Sequence, residues 1–189
     1  TRAGLALVRQ AKARGIAVTA GVTPAHIHLS DLAIGDFRSF ARLSPPLRSE
    51  NDRQAVLEAI AGGTIDLVSS GHDPRGPEDK RLPFADAAPG MAGAEVLLAT
   101  TLGLVRDGVI DMPCAFALLA GHPAKLLGVE AGELRDGYEA DIALIDVDRP
   151  WIVDTDKMAA SAGNTPFDGQ PMQGRVEALW KGGVRIGGA

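Results

Sequence analysis

Twice in its first half this chain runs from an amphipathic helix pattern, through a glycine, into a short apolar segment and then into a long polar loop. Leu5, Val8, Ala11 and Ile16 keep helical spacing, Thr1 can cap the start and Gly15 can take the left-handed position past the end, so the spacing predicts a helix over 2–14. "IAVTA" (16–20) is short and β-branched and predicts a strand, which leaves through Gly21 and Pro24 into "GVTPAHIHLSD". Ser49 can cap a second helix over 50–61, with Glu50 and Asp52 suited to its positive start and Gly62-Gly63 ending it. "TIDLVS" (64–69) then predicts a second strand. Helices alternating with nearly continuous apolar strands are what a helix-covered parallel sheet requires, because both strand faces are buried. Residues 1–130 therefore read as α/β.

"GAEVLLATTLGLVRD" (93–107) and "DMPCAFALLAGHPAKLLG" (111–128) predict two more helices, the second capped by Asp111 with Pro113 in its first turn. From Gly132 the texture changes to short alternating segments, "ADIALIDVD", "PWIVD" and "GRVEALWKGGVRI", with Gly182-Gly183 as a hairpin turn. A small β module over 131–189 follows, with Trp151 and Trp180 expected in its packing. The 19 basic and 24 acidic side chains are not gathered into runs, which argues against nucleic acid or anionic membrane as partner. No apolar stretch approaches the roughly 20 residues of a membrane span and no charged-then-apolar leader is present, so a soluble protein is expected. The single cysteine, Cys114, excludes an intrachain disulfide and is expected as a buried thiol of a cytoplasmic protein. The chain opens at Thr1, directly in a helix and without methionine, so a fragment is expected.

In a parallel α/β sheet the loops after the strands gather at one end and form the site face. The first such loop offers His26 and His28, which can share a metal ion if the segment is extended, and which otherwise are hydrogen-bonded structural groups. The second, "SSGHDPRGPEDKR", holds His72 and Asp73 at the strand end. Asp73 could act as a general base and His72 could ligate, orient or bind substrate; the other reading is a plain Asx-type turn before Pro74. Arg75 could clamp a carboxylate, whereas Glu78, Asp79, Lys80 and Arg81 read as a solvated cluster. His122, before a proline at a helix start, reads as structural.

Taken together, "SPPLRSENDRQAVLEAIAGGTIDLVSSGHDP", "EDKRLPFADAAPGMAGAEVLL", "HPAKLLGVEAGELRDGYEADIALIDVD" and "NTPFDGQPMQGRVEALWKGG" resemble, in order and spacing, the second half of a bacterial class I dihydroorotase of the amidohydrolase superfamily. The end segments are shared with hydantoinases and allantoinases, and membership of one of these is a third reading. The resemblance implies the C-terminal part of a metal-dependent (β/α)8 barrel over 1–130 and part of a β-sandwich over 131–189, within a protein about twice this length. It implies reversible cyclisation of carbamoyl aspartate to dihydroorotate in pyrimidine synthesis, with zinc lowering the pKa of its water toward about 7 and a strand-end aspartate shuttling the proton. The metal ligands would lie mostly upstream of Thr1, and His26 falls at a family motif outside the metal set.

At the site positions the sequence departs from the family. Gly71 stands at the catalytic aspartate, Arg75 at the substrate-binding histidine four places on, Ser44 at the asparagine before "PPLR", and Pro89 at the phenylalanine before Gly90. One explanation is a rearranged enzyme site in which Asp73 replaces the lost carboxylate, with Ser44, His72, Arg75, Pro89 and Gly90 on the substrate. The other is a catalytically silent homologue that serves as structural partner of aspartate carbamoyltransferase. The missing N-terminal half, a partner chain or a second copy would complete the barrel, whose strand edge is otherwise unpaired.

Overall fold

The computed structural model describes residues 1–187, which form two compact units. The first comprises 1–97 and 152–170. In it, α1 (Arg2–Ala13) leads to β1 (Gly21–Val22) and α2 (Pro24–His28), then α3 (Glu50–Ala61), β2 (Leu67–Val68) and α4 (Pro77–Arg81). The expected helix punctuation is present. Thr1 Oγ accepts from Gly4 N–H at the start of α1, Ser49 Oγ accepts from Asp52 N–H at the start of α3, and Gly15 takes φ +74°. The apolar faces of α1 and α2 pack on α3, and Ile27, Val56, Ala59, Ile60, Ile65 and Val68 are buried.

β1 and β2 are parallel, in the register Gly21↔Leu67 and Val22↔Val68. Both are shorter than expected: 16–20 forms no strand and the pairing is confined to two residues on each side. The cause is visible at the end of α3, where the N–H groups of Thr64 and Ile65 both donate to Ala59 O and so cannot join a ladder. Pairing starts only at Asp66, whose N–H donates to Ala20 O while its carboxylate accepts from Ala20 N–H at 2.8 Å and holds Lys12 Nζ at 2.5 Å.

Phe167 anchors the 152–170 segment, 1% exposed and edge-on to His28. Phe167→Ala in the full-length protein is expected to cost about 3–5 kcal/mol, the usual range for an emptied aromatic core position, measured as a shift in urea midpoint.

The second unit comprises 98–151 and the residues from Pro171 onward. It holds all but the first residue of α5 (Leu97–Arg106), which starts later than the spacing suggests, because the N–H groups of Gly93 and Ala94 are directed to a side chain instead. The expected helix over 111–128 exists as α6 (Met112–Phe116), a wider π turn (Ala117–Gly121) and α7 (His122–Leu127). Pro123 cannot donate to the turn before it, which accounts for the loosened winding. The second helix begins at Asp111 as expected, its carboxylate accepting from Cys114 N–H. Cys114 itself is half-buried rather than buried.

The segments 140–148 and 150–154, expected as separate, are largely one strand, β3 (Ile142–Ile152). It is followed by β4 (Pro171–Lys181) and β5 (Val184–Gly187), in the order β3-β4-β5. Gly182 and Gly183 both have positive φ, +55° and +79°, as a two-residue hairpin between β4 and β5 demands. Trp151 and Trp180 are half-buried, not enclosed: Trp151 donates to Gly174 O and carries Arg175 over its ring. Among the described residues no helix is long and apolar enough to cross a membrane.

Candidate active site

Because β1 and β2 are parallel, the loops that leave them emerge on the same side. They meet in a cleft of about 40 Å³ lined by Thr23, His26, Leu43, Ser44, Gly71, Asp73, Gly90 and Met91, all within the first unit. Five residues singled out from the sequence, His26, Ser44, Gly71, Asp73 and Gly90, are thus brought together.

The loop after β2 bends at Gly71, which takes a left-handed φ, and so brings Gly71 and Asp73 to one side. Gly71 and Asp73 face the cleft, and His72 between them turns away, its Nδ1 accepting from Gly93 and Ala94 N–H at 3.2 Å each. That ring nitrogen is an acceptor, so the ring proton sits on Nε2. His72, expected on the substrate, is therefore occupied as a cap on the turn before α5. Pro89 does not line the cleft either, its carbonyl accepting from Arg75 Nε at 2.8 Å. Arg75 also pairs through Nη2 with Asp73 at 2.6 Å, so it reaches the cleft through that carboxylate.

Two glycines are required by this packing. Gly71 has φ +58°, and a Cβ there would come within 2.9 Å of Thr23 Cγ2. The backbone at 71, where the resemblance puts an aspartate, is thus closed to a side chain by the neighbouring loop. Gly90 lies directly against Asp73, its N–H donating to Arg42 O while Asp73 N–H donates to Met91 O.

His26 and His28 do not form a metal pair. They lie two apart on the short helix α2, which sends their side chains to different faces instead of the shared face of an extended chain. Both His26 nitrogens are engaged as well, Nδ1 with Thr23 Oγ at 2.7 Å and Nε2 with Pro45 O at 3.0 Å. A carbonyl only accepts, so Nε2 carries the proton, and burial lowers the pKa of this ring below the ordinary histidine value. His28 packs on Phe167. Among the described residues no group of three histidine, cysteine or acidic side chains could hold a metal ion, so the zinc that the resemblance implies finds no ligand set there.

The sequence reading missed two residues. Asn164 is buried and joins the loops: its Oδ1 accepts from Arg75 N–H at 2.8 Å, its Nδ2 donates to Gly90 O at 3.0 Å, and its backbone carbonyl accepts from Ala92 N–H at 2.7 Å. It lies far from the loops in sequence, and the only signal was the motif "NTPFDG" itself. Lys80, expected in a solvated cluster, is 4% exposed, because α4 turns it inward to donate to Ser39 O and Arg42 O at 3.1 and 3.2 Å. Burial first, then the nearby Arg75 and Arg42, lowers its pKa from 10.5 to about 8. Between those values the unfolded chain holds the proton that the folded chain has released, so stability rises with pH from about 8 toward 10.5. Urea midpoints across that window should climb in the wild type and climb less in Lys80→Met.

No protein-family profile matches the chain. Among solved structures, L-hydantoinase (dihydropyrimidinase) from Arthrobacter aurescens superposes with a TM-score of 0.93 at 26% identity, covering 99% of this chain and 43% of that one. Dihydropyrimidinase from Brevibacillus agri superposes at 0.89 and 23% identity, over 96% and 42%, which speaks to fold alone. This α/β chain thus belongs to the amidohydrolase superfamily. Within it the sequence belongs with the dihydroorotases. It is 39% identical to the dihydroorotase of Geobacter metallireducens over 183 residues, and 39% identical to that of Syntrophus aciditrophicus over 170. Those matches cover 97% and 90% of this chain but 43% and 40% of the relatives, so the chain spans less than half their length.

Proposed function

We propose that the full-length protein is a cyclic amidohydrolase that opens and closes dihydroorotate, with the residues of this chain supplying one wall of the substrate site. In this reading residues 1–130 belong to a (β/α)8 barrel and 131–189 to a β-sandwich. Asp73 carries the proton between the attacking oxygen and the leaving ring nitrogen, which a carboxylate at a strand end can do in either direction. Ser44 and the Gly90 backbone border the ring, and Arg75, with donors left beyond Asp73 and Pro89, takes the substrate carboxylate. The observation that carries the reading is that Asp73 lines the same cleft as Gly71, the family's aspartate position. At about 40 Å³ the cleft accommodates one edge of a ring, and the zinc and the remaining walls would come from outside the described residues.

The Asp73–Arg75 pair favours the second reading, a silent homologue partnering a carbamoyltransferase, since it already engages the only carboxylate in the cleft lining. Ring opening by the full-length protein separates the two, with dihydroorotate and a hydantoin compared as substrates. Preferred opening of dihydroorotate supports the assignment. Opening of the hydantoin alone moves it to the hydantoinases, and opening of neither leaves the partner role.

A further inference from the structure

Among the described residues Lys80 is the only ionisable side chain in the buried set. An ammonium carries three donors, and two are taken by Ser39 O and Arg42 O. No described carboxylate lies within ion-pairing distance of its Nζ. A buried charge without a counter-charge is costly, so proteins ordinarily pair it. The third donor belongs to a side chain that lines a hollow of about 260 Å³ between α4 and the 155–164 segment. Arg75 and Arg81 also line it, and its single carboxylate is Asp156. Arg75 and Arg81 are already paired, with Asp73 and Glu78, so Lys80 is the lining cation without a counter-charge, and a space smaller than a drug-sized pocket beside it fits a small negatively charged ligand.

We propose that this hollow is a binding site for a small oxyanion, carboxylate or phosphate, held by Lys80 and Arg75 with Arg81 at the rim. The site is distinct from the cleft and does not depend on the proposed reaction, but Arg75 lines the hollow and pairs with the cleft carboxylate. Its Nη2 holds Asp73 at 2.6 Å while the side chain faces the hollow. A ligand that draws on the guanidinium competes with Asp73 for it, so occupancy of the hollow loosens the partner of the cleft carboxylate.

The test is calorimetric titration of the full-length protein with inorganic phosphate and, separately, succinate, in the absence of any substrate. Saturable binding of one or both is expected, and the tighter of the two identifies the ligand class. Lys80→Met should weaken it about tenfold or more, the loss of a charge-assisted hydrogen bond. Asp156→Asn, at an exposed position that leaves the fold intact, should tighten it by removing the repelling carboxylate. If Lys80→Met does not fold, the sign of the Asp156→Asn effect decides. Absence of saturable binding, or affinity indifferent to the substitution at Asp156, overturns the proposal.

Discussion

Gly90→Ala in the full-length protein is expected to lose about 3 kcal/mol or more of stability, enough to consume much of a typical domain's margin. The Cβ it adds would stand 2.3 Å from Asp73 O and 2.8 Å from Asp73 Oδ2. Neither strand of the loop can step back without breaking bonds. Gly90 is tied through its N–H to Arg42 O and through its carbonyl to Asn164 Nδ2, and Asp73 through its N–H to Met91 O. The φ of +131° adds a backbone cost of roughly 1–3 kcal/mol for any residue with a side chain. Gly108 supplies the control: its φ is +70°, but a Cβ there meets nothing within 4 Å, so Gly108→Ala should show only about 1–2 kcal/mol. Urea midpoints of the two variants separate the effects, and equal losses would mean that Asp73 and Gly90 are not packed as described.

The helices were legible because their punctuation is local. Thr1, Ser49, Asp111 and Gly15 act on neighbours within a turn, and a single sequence records such neighbours directly. Strand extents were not legible, since whether 16–20 pairs depends on where Ile65 sends its N–H, a matter decided by the end of α3. The metal reading of His26 and His28 failed for a related reason: it required an extended segment, and Pro24 opens a helix there instead. Gly71 and Asp73 line one cleft through the left-handed turn at Gly71, a backbone conformation that no side-chain pattern in the sequence announces. Lys80 was illegible because "PEDKR" reads as a solvated run, and only the carbonyls of Ser39 and Arg42, some forty residues earlier, turn it inward. Asn164 lay beyond local reasoning altogether, 89 residues from the backbone N–H that it accepts from.

In the function we propose, the reactive carboxylate has moved from position 71 to Asp73. Asp73→Asn keeps the size of the side chain, so the steric fit against Gly90 is preserved, and the amide oxygen can still accept from Arg75. What it removes is the capacity to take and return a proton, which is ordinarily worth 10²–10⁴ in rate. Restoring an aspartate at 71 offers no clean complement, because the φ of +58° and Thr23 oppose a side chain there. The most direct measurement is therefore kcat for dihydroorotate ring opening by the full-length Asp73→Asn variant beside wild type, at equal metal content. A fall of about a hundredfold or more with KM little changed is the result predicted here. An active wild type whose rate survives the substitution would show that the proton is carried elsewhere and would contradict the assignment of Asp73.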